Sequence, residues 1–310
     1  MTSGGGDLVQ PFLLPAAGVR GRLVRLGSAA EEILTRHAYE GPVASLLAEL
    51  LVLTGGLGSL MKFDGIFTIQ TKGDGPVRLM VADLTSAGSL RAYAEVKHEA
   101  VAAVLAREPA PSLPRLTGAG YLAFTVEQQE SAQRYQGIVA LEGQSLSDCF
   151  LHYFRQSEQL PTAIHVAADR ADGRWRAAAL ILQRLPASEH PGLESEGEAL
   201  LAEAREEGWR RATILMSTLT DAELLDPALP PERLLWRLFS EEAPDLQAPR
   251  LLAAGCRCSR ARIEPVLASL SEDELAEMTV EGRIAVTCQF CNRAYDFTPA
   301  DVAALKARAR

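Results

Sequence analysis

Basic residues are in the minority in this chain and form no continuous stripe. The 310 residues include 31 Lys and Arg against 40 Asp and Glu, which gives a net charge of −9 and a pI of about 5.2. A surface of this sign repels phosphate groups, so nucleic acid is excluded as the main partner. Apolar residues make up 47% of the chain, enough to build a buried core and two or three domains.

The sequence also lacks a secretion signal. Its first fifteen residues, MTSGGGDLVQPFLLP, have neither a basic start nor an apolar run of signal length, and predict a short disordered lead. The apolar stretch VASLLAELLVLTGGLGSLM (43–61) is long enough for a membrane span, but Glu49 and the pair Gly55-Gly56 favour a buried core helix. We therefore expect no membrane contact and a cytoplasmic, reducing location.

No catalytic or nucleotide-binding arrangement is visible. The stretch GGLGS (55–59) is not followed by Gly-Lys-Ser/Thr, so it does not predict a phosphate-binding loop. No HExxH spacing occurs, and the five histidines lie away from the paired cysteines described below: His37, His98, His152, His165 and His190. The chain is therefore not expected to be an enzyme or to use ATP.

The patterning predicts an α+β protein with three parts. Residues 1–187 alternate short β patterns with helical patterns at 43–54 and 146–160, which indicates an antiparallel-sheet core domain with helices. Residues 188–250 lose the β pattern and predict a helical linker. Up to residue 245 this segment holds fourteen acidic residues against five arginines and no lysine, so its helices should be only modestly stable.

The third predicted part, residues 251–310, is a small C-terminal domain. Ser271 and Glu274 have the spacing of a capping box at a helix start. The segments RIAVT (283–287) and AYDF (294–297) read as strands, and Thr298 caps a last helix. A module of roughly 60 residues is marginal without a metal or disulfides.

Cysteine is scarce, and four of the five cysteines form two tight pairs. They lie in CRCSR, as Cys256 and Cys258, and in CQFCN, as Cys288 and Cys291. Paired cysteines in a reducing compartment are more often metal ligands or redox switches than structural disulfides. Tetrahedral zinc takes four thiolates from such pairs, so we expect one Zn²⁺ per chain. The fifth, Cys149, lies in a helical pattern and is expected to be a small buried residue.

Spacing does not decide between two roles for this site. The cysteines of each pair are close enough to close a local disulfide, which would remove the ligands and release the metal. The residues alone favour a permanent zinc staple over such a switch. A zinc-ribbon adaptor with a purely structural metal therefore remains an alternative to a regulated protein.

Longer motifs resemble one known family. The order C-x-C followed by C-x-x-C-N-x-x-Y-x-F resembles the bacterial redox-regulated heat-shock chaperones of about 33 kilodaltons. Three further stretches agree in order: MKFDGIFTIQTKGDGPV (61–77), YFRQSEQLPT (153–162) and LLWRLFSEE (234–242). The resemblance runs from about residue 11 to about residue 305. The glycine-rich lead and TGGLG (54–58) depart from the family pattern.

The resemblance implies a fold and a mechanism. Family members have an α+β core for client binding and dimerisation, a metastable helical linker and a zinc domain. By resemblance, Cys256, Cys258, Cys288 and Cys291 bind zinc in a reduced, inactive state. Oxidation is then expected to form the disulfides Cys256–Cys258 and Cys288–Cys291 and to expel zinc. The linker unfolds, and the protein becomes a homodimer that holds unfolded client proteins without ATP.

Overall fold

The structure, a computed structural model, describes residues 6–129, 134–186 and 195–309. The chain divides into two units, Met1–Ala254 and Gly255–Arg310. The glycine-rich start at 1–5 and the predicted boundary between core and linker lie outside the described residues, as does His190. The division of the first unit into core and linker therefore stays a prediction.

Two six-stranded sheets organise the first unit. The first has the order β10-β1-β2-β9-β8, with β11 also paired to β1, and the second has the order β12-β5-β4-β3-β6-β7. Only the short pairing of β12 with β5 is parallel among the described strands. The strands are β1 (Leu8–Leu14), β2 (Val19–Leu26), β3 (Gly65–Gly73), β4 (Val77–Thr85), β5 (Ser89–Val96), β6 (Gly120–Gln128), β7 (Arg134–Ala140), β8 (Thr162–Ala171), β9 (Arg174–Arg184), β10 (Asp245–Leu246), β11 (Arg250–Leu251) and β12 (Ala253–Ala254).

Helices cover both sheets of this unit. The element that follows α5 is a π-helical turn at Phe154–Glu158, and the one that follows α8 is a 3₁₀ turn at Ser240–Glu242. The α-helices are α1 (Ser28–Leu34), α2 (Gly41–Gly58), α3 (His98–Leu105), α4 (Leu113–Thr117), α5 (Leu146–Tyr153), α6 (Ser195–Ser217), α7 (Asp221–Leu225) and α8 (Pro231–Phe239). Antiparallel sheets with packed helices confirm the predicted α+β class.

Helix α2 is the apolar stretch that has the length of a membrane span. It is long and apolar enough to cross a membrane, but 72% of it is buried inside the unit. It packs against strands of both sheets and is apolar on every side, as a core helix should be. The glycines of TGGLG permit this approach, because a Cβ at Gly56 would lie 2.6 Å from Ile181 Cδ1. The core-helix prediction is confirmed.

The prediction of a disordered lead is wrong for residues 8–14. This segment forms β1, which pairs with β2 along its whole length and with β10 and β11 on its other side. Val9, Phe12 and Leu14 are fully buried. Gln10 and Pro11 interrupt the apolar residues of LVQPFLL, so the sequence shows no regular strand alternation there.

A second core lies where the predicted linker packs on the first sheet. Helix α8 contributes Leu234, Leu235, Leu238 and Phe239, all buried, and the Phe239 ring stacks on Phe12 at 5.8 Å. The opposing apolar face comes from the sheet, through Phe12, Leu14, Leu23, Leu180 and Leu182. This apolar face holds the described helices of the predicted linker on the sheet. Glu203, Glu206 and Glu232 are exposed, whereas Glu242 is buried and pairs with Arg211 at 2.8 Å.

The second unit is much smaller. Its elements are α9 (Arg260–Ser269), α10 (Glu272–Met278), α11 (Pro299–Ala309) and a sheet of β13 (Thr279–Val280), β14 (Arg283–Thr287) and β15 (Ala294–Phe297). The capping box of Ser271 and Glu274 is present at the start of α10. Its buried core consists of five side chains, Leu267, Leu275, Ile284, Phe297 and Val302.

Arg25 anchors the loop between α7 and α8. Its guanidinium, on the buried side of β2, donates hydrogen bonds to the carbonyl oxygens of Glu223 at 3.1 Å, Asp226 at 2.9 Å and Leu229. Replacing it by methionine keeps most of its bulk and leaves these carbonyls without their donor. Hydrogen bonds from a charged group contribute about 1.5–3 kcal/mol each, so Arg25→Met should loosen the linker.

Hydrogen exchange measures this directly. In Arg25→Met, amides of residues 220–231 should exchange at least tenfold faster than in the parent chain. The matched control is Arg78→Met, because the Arg78 side chain is half exposed and its recorded partner, Glu95, is 4.0 Å away. Equal protection of 220–231 in the two variants would show that Arg25 does not anchor the linker.

Candidate metal centre

Two local structures present the four paired cysteines. Cys256 and Cys258 lie in the extended loop that leads into α9, and the next residue, Ser259, caps that helix by accepting a hydrogen bond from the Arg262 amide at 3.3 Å. The cap ends the extended stretch immediately after the second cysteine. Both sulfurs of this pair are thereby fixed on one short segment.

Cys288 and Cys291 lie in the turn between β14 and β15. The Cys288 amide donates to the Arg293 carbonyl at 2.9 Å, and the Asn292 amide donates to the Cys288 carbonyl at 2.8 Å. Asn292 has a φ of 55°, a left-handed conformation that asparagine tolerates better than most residues. The turn folds the chain around the sulfurs, as the hairpin pattern predicts.

The four sulfurs form one cluster. The Sγ atoms of Cys256 and Cys288 are 3.7 Å apart, those of Cys258 and Cys291 are 3.3 Å apart, and all four lie within 4.8 Å of one another. Four sulfurs at about 2.3 Å from a tetrahedral zinc ion are separated from one another by about 3.8 Å. The four thiols are free and half-buried. The cluster therefore fits a tetrahedral thiolate site.

The protonation of the thiols shows why the cluster suits a cation. Burial opposes ionisation, but hydrogen bonds from the Cys258 backbone and from the neighbouring thiols outweigh it at Cys256 and lower that pKa to about 6. Burial raises the pKa of Cys291 to about 12 and also raises the pKa of Cys288. A divalent cation bound between the sulfurs favours the ionised form of such thiols.

Polar groups from the second hairpin strand lie beside the sulfurs. The Tyr295 hydroxyl donates to Cys258 Sγ at 3.2 Å, and the positive charge of Arg293 acts on Cys258. Arg260 lies over the Phe297 ring at 4.0 Å and donates to the Asp296 carbonyl at 2.7 Å. Sequence reasoning assigned no role to Tyr295 or Arg293, although both stand in the motif that carries the resemblance.

The remaining candidates lie apart from the cluster. Among described His, Cys, Asp and Glu residues, Cys256, Cys258, Cys288 and Cys291 are the group whose ligand atoms converge as a metal site requires. His165 instead pairs with Asp221 at 2.7 Å, and His98 pairs with Glu40 at 2.9 Å. The GGLGS stretch lies inside α2 and is helical, so it does not form a phosphate-binding loop.

Cys149 is buried on α5, as predicted from the sequence. Its thiol donates to the Glu142 carbonyl at 3.3 Å, and burial raises the pKa of Cys149 to about 11. Since the thiolate is the nucleophile, Cys149 should resist alkylation in the folded chain. In reduced, metal-free protein at pH 8, iodoacetamide should modify Cys256, whose pKa is lowered to about 6, at least tenfold faster than Cys149. Denatured protein, the control, should lose this difference, and equal rates in the folded chain would contradict the burial argument.

Comparison with known proteins agrees with this arrangement. The family model described as "Hsp33 protein" matches residues 7–298. The chain is 40% identical over 298 residues to a 33 kDa chaperonin of Caulobacter vibrioides, covering 94% of this chain and 95% of that protein. It is also 40% identical over 305 residues to a 33 kDa chaperonin of Pseudomonas paraeruginosa, covering 98% and 95%.

A solved structure shows the same fold. The crystal structure of the 33 kDa chaperonin (heat shock protein 33 homolog) of Thermotoga maritima superposes with a TM-score of 0.77, at 21% identity, covering 98% of this chain and 99% of the other. The family match spans nearly the whole chain, and the matching motifs include both cysteine pairs. The chain belongs to the Hsp33 family, which is a family of heat-shock chaperones and not of enzymes.

Proposed function

We propose that this chain is a redox-regulated, ATP-independent holdase that is inactive while Cys256, Cys258, Cys288 and Cys291 bind one zinc ion. The observation that carries the proposal is the convergence of four free sulfurs within 4.8 Å in a unit with a very small core. Unfolded or oxidatively damaged proteins are the clients, as membership of a chaperone family implies.

Zinc is proposed to supply much of the folding free energy of the second unit. Its five buried side chains contribute on the order of 10 kcal/mol, at roughly 1.5–3 kcal/mol each. Structural zinc contributes about 10–16 kcal/mol in zinc-finger peptides. The proposed contribution of zinc to the folding free energy is therefore at least as large as that of the whole hydrophobic core of this unit. Loss of the metal should unfold the unit.

Oxidation removes the ligands in a balanced reaction. A thiolate of one pair attacks hydrogen peroxide and becomes a sulfenic acid, and the second thiol of that pair displaces water to form the disulfide. Two thiols lose two electrons and two protons, and one peroxide becomes two waters. We propose the products Cys256–Cys258 and Cys288–Cys291, because the short loops within each pair cost less entropy to close once the unit has unfolded.

Opening of the linker is proposed to create the client-binding surface. Helix α8 covers an apolar sheet face through Leu235, Leu238 and Phe239, all buried. Cys256 follows β12, the last strand of the first unit, by two residues. Loss of zinc and opening of the linker would therefore take place in neighbouring segments of the chain. Release of α8 would expose apolar surface on both the helix and the sheet, and such surface binds unfolded chains.

Three further features complete the proposal, and the first of them is carried over from the resemblance. The activated form is proposed to be a homodimer, and the location is proposed to be the cytoplasm. Neither nucleic acid nor membrane is proposed as a partner, because the chain has a net charge of −9 and the span-length helix found among the described residues is buried in the core.

The test is peroxide treatment of zinc-loaded protein with mild warming. A switch should release one zinc per chain, lose helical circular dichroism and begin to suppress aggregation of a denatured client. Peptide mapping should find the disulfides Cys256–Cys258 and Cys288–Cys291. Retention of zinc and helicity, as expected of an adaptor with a structural metal, would overturn the proposal.

Two variants serve as controls for this experiment. Cys149→Ser removes the buried fifth thiol and should respond to peroxide like the parent chain. Cys288→Ser removes one ligand and should give a partly unfolded second unit that suppresses aggregation without oxidant. A Cys288→Ser protein with full zinc content and no chaperone activity would contradict the assigned role of the metal.

A further inference from the structure

The hydroxyl group of Tyr295 is placed at a cysteine sulfur by the fold of the second unit. Tyr295 lies on β15 opposite Val286 of β14, and its hydroxyl donates a hydrogen bond to Cys258 Sγ at 3.2 Å. Strand β15 follows the turn that holds Cys288 and Cys291, and its residue Tyr295 contacts Cys258, which belongs to the other cysteine pair. This contact joins the two halves of the cluster independently of any metal.

The core fixes the orientation of this ring. Tyr295 and Phe297 are two residues apart on β15 and share one face of the strand. Phe297 is fully buried, and the Tyr295 ring packs against the same five-residue core. A tyrosine in this setting is held by its apolar ring and presents its polar end to a partner. The hydroxyl position is thus set by core packing.

A positive charge lies close to this hydroxyl group. The guanidinium of Arg293 acts electrostatically on Tyr295 and on Cys258 and Cys291, whose sulfurs are 3.3 Å apart. A nearby cation makes a hydroxyl group a stronger hydrogen-bond donor. Tyr295 therefore donates to the Cys258 sulfur with the charge of Arg293 beside it.

The negative charge of a zinc-loaded site explains how these hydrogen-bond donors would act. Four thiolates around one divalent ion leave an excess of two negative charges, which hydrogen-bond donors stabilise. Partners of this kind around metal ligands typically contribute 10–100-fold in metal affinity. A hydrogen bond also withdraws electron density from the sulfur and so lowers its nucleophilicity toward peroxide. Affinity for zinc and resistance to oxidation should therefore rise together.

We propose that Tyr295, with the positive charge of Arg293 beside it, is the positioning residue that donates a hydrogen bond to Cys258 Sγ and thereby sets how much oxidant the switch requires. The inference rests on the proposed function, since it concerns the same four sulfurs. Its consequence is that the pair Cys256–Cys258 resists peroxide until this hydrogen bond is broken. The switch threshold is then a property of one hydroxyl group and can be changed without altering a ligand.

The test compares Tyr295→Phe with the parent in the full-length chain. Without oxidant, competition with a chelator should show an apparent zinc dissociation constant 10–100-fold higher. With peroxide, zinc release should be at least threefold faster. In cobalt-substituted protein the thiolate-to-metal charge-transfer band should shift to longer wavelength while the tetrahedral ligand-field bands persist. A loss of structure alone would not produce that shift.

Two more variants complete the design. Tyr121→Phe removes a tyrosine hydroxyl in the first unit, on β6, and should change none of these quantities. Arg293→Gln keeps the hydroxyl but removes the positive charge that acts on Tyr295, Cys258 and Cys291, so it should shift each quantity in the same direction. If Tyr295→Phe fails to bind cobalt tetrahedrally, the zinc affinity, release rate and charge-transfer energy of Arg293→Gln decide whether the proposal stands.

The outcomes separate this inference from the function on which it rests. A parent chain that binds no zinc, or keeps it under peroxide, would refute the switch itself. A parent that behaves as a switch, with Tyr295→Phe and Arg293→Gln unchanged in affinity, release rate and charge-transfer energy, would refute the role of Tyr295. Slower zinc release in Tyr295→Phe would refute it equally.

Discussion

In the second unit, the convergence of four sulfurs does what a hydrophobic core does in the first. The buried side chains of the first unit form two large clusters, one around α2 and one beneath α8, whereas the second unit buries five apolar side chains. Two pairs of cysteines, separated by about thirty residues, come within 4.8 Å of one another in that small unit. Four thiolates this close would repel one another without a cation, so we propose that folding of the unit and occupation of the site by a metal are linked.

This linkage explains how a local reaction can have distant effects. Oxidation of either pair removes two of four ligands, and no large core remains to keep the second unit folded. The linker helices of the first unit depend on a different interaction, the packing of α8 on an apolar sheet face together with the Arg25 anchor. Their acidic composition weakens them as independent helices. Under the proposed function, a binding surface covered in this way would need no nucleotide to become exposed.

The elements that follow local rules were predictable from the sequence. The capping box at Ser271, the strands around the CQFC turn and the core role of α2 all depend on patterns within a few residues, and the structure has each of them. The cysteine pairs were predictable as a cluster because two closely spaced pairs already point their sulfurs inward.

What escaped prediction depends on long-range contacts. Strand β1 was missed because its partners are β2 and two short strands more than 200 residues away. Tyr295 was visible in the motif, but its contact with Cys258 spans 37 positions and follows only from the register of β14 and β15. The Arg25 anchor likewise joins residues about 200 positions apart. Spacing along the chain carries no direct signal for such contacts.

Removal of zinc under reducing conditions tests the central claim most directly, since no disulfide can then form. The reduced, zinc-loaded chain would be treated with a strong chelator in the presence of excess reductant, and hydrogen exchange followed across residues 255–309. The account predicts that this unit loses protection on metal removal alone and regains it when zinc is added back. A second unit that stays protected without metal would contradict the account.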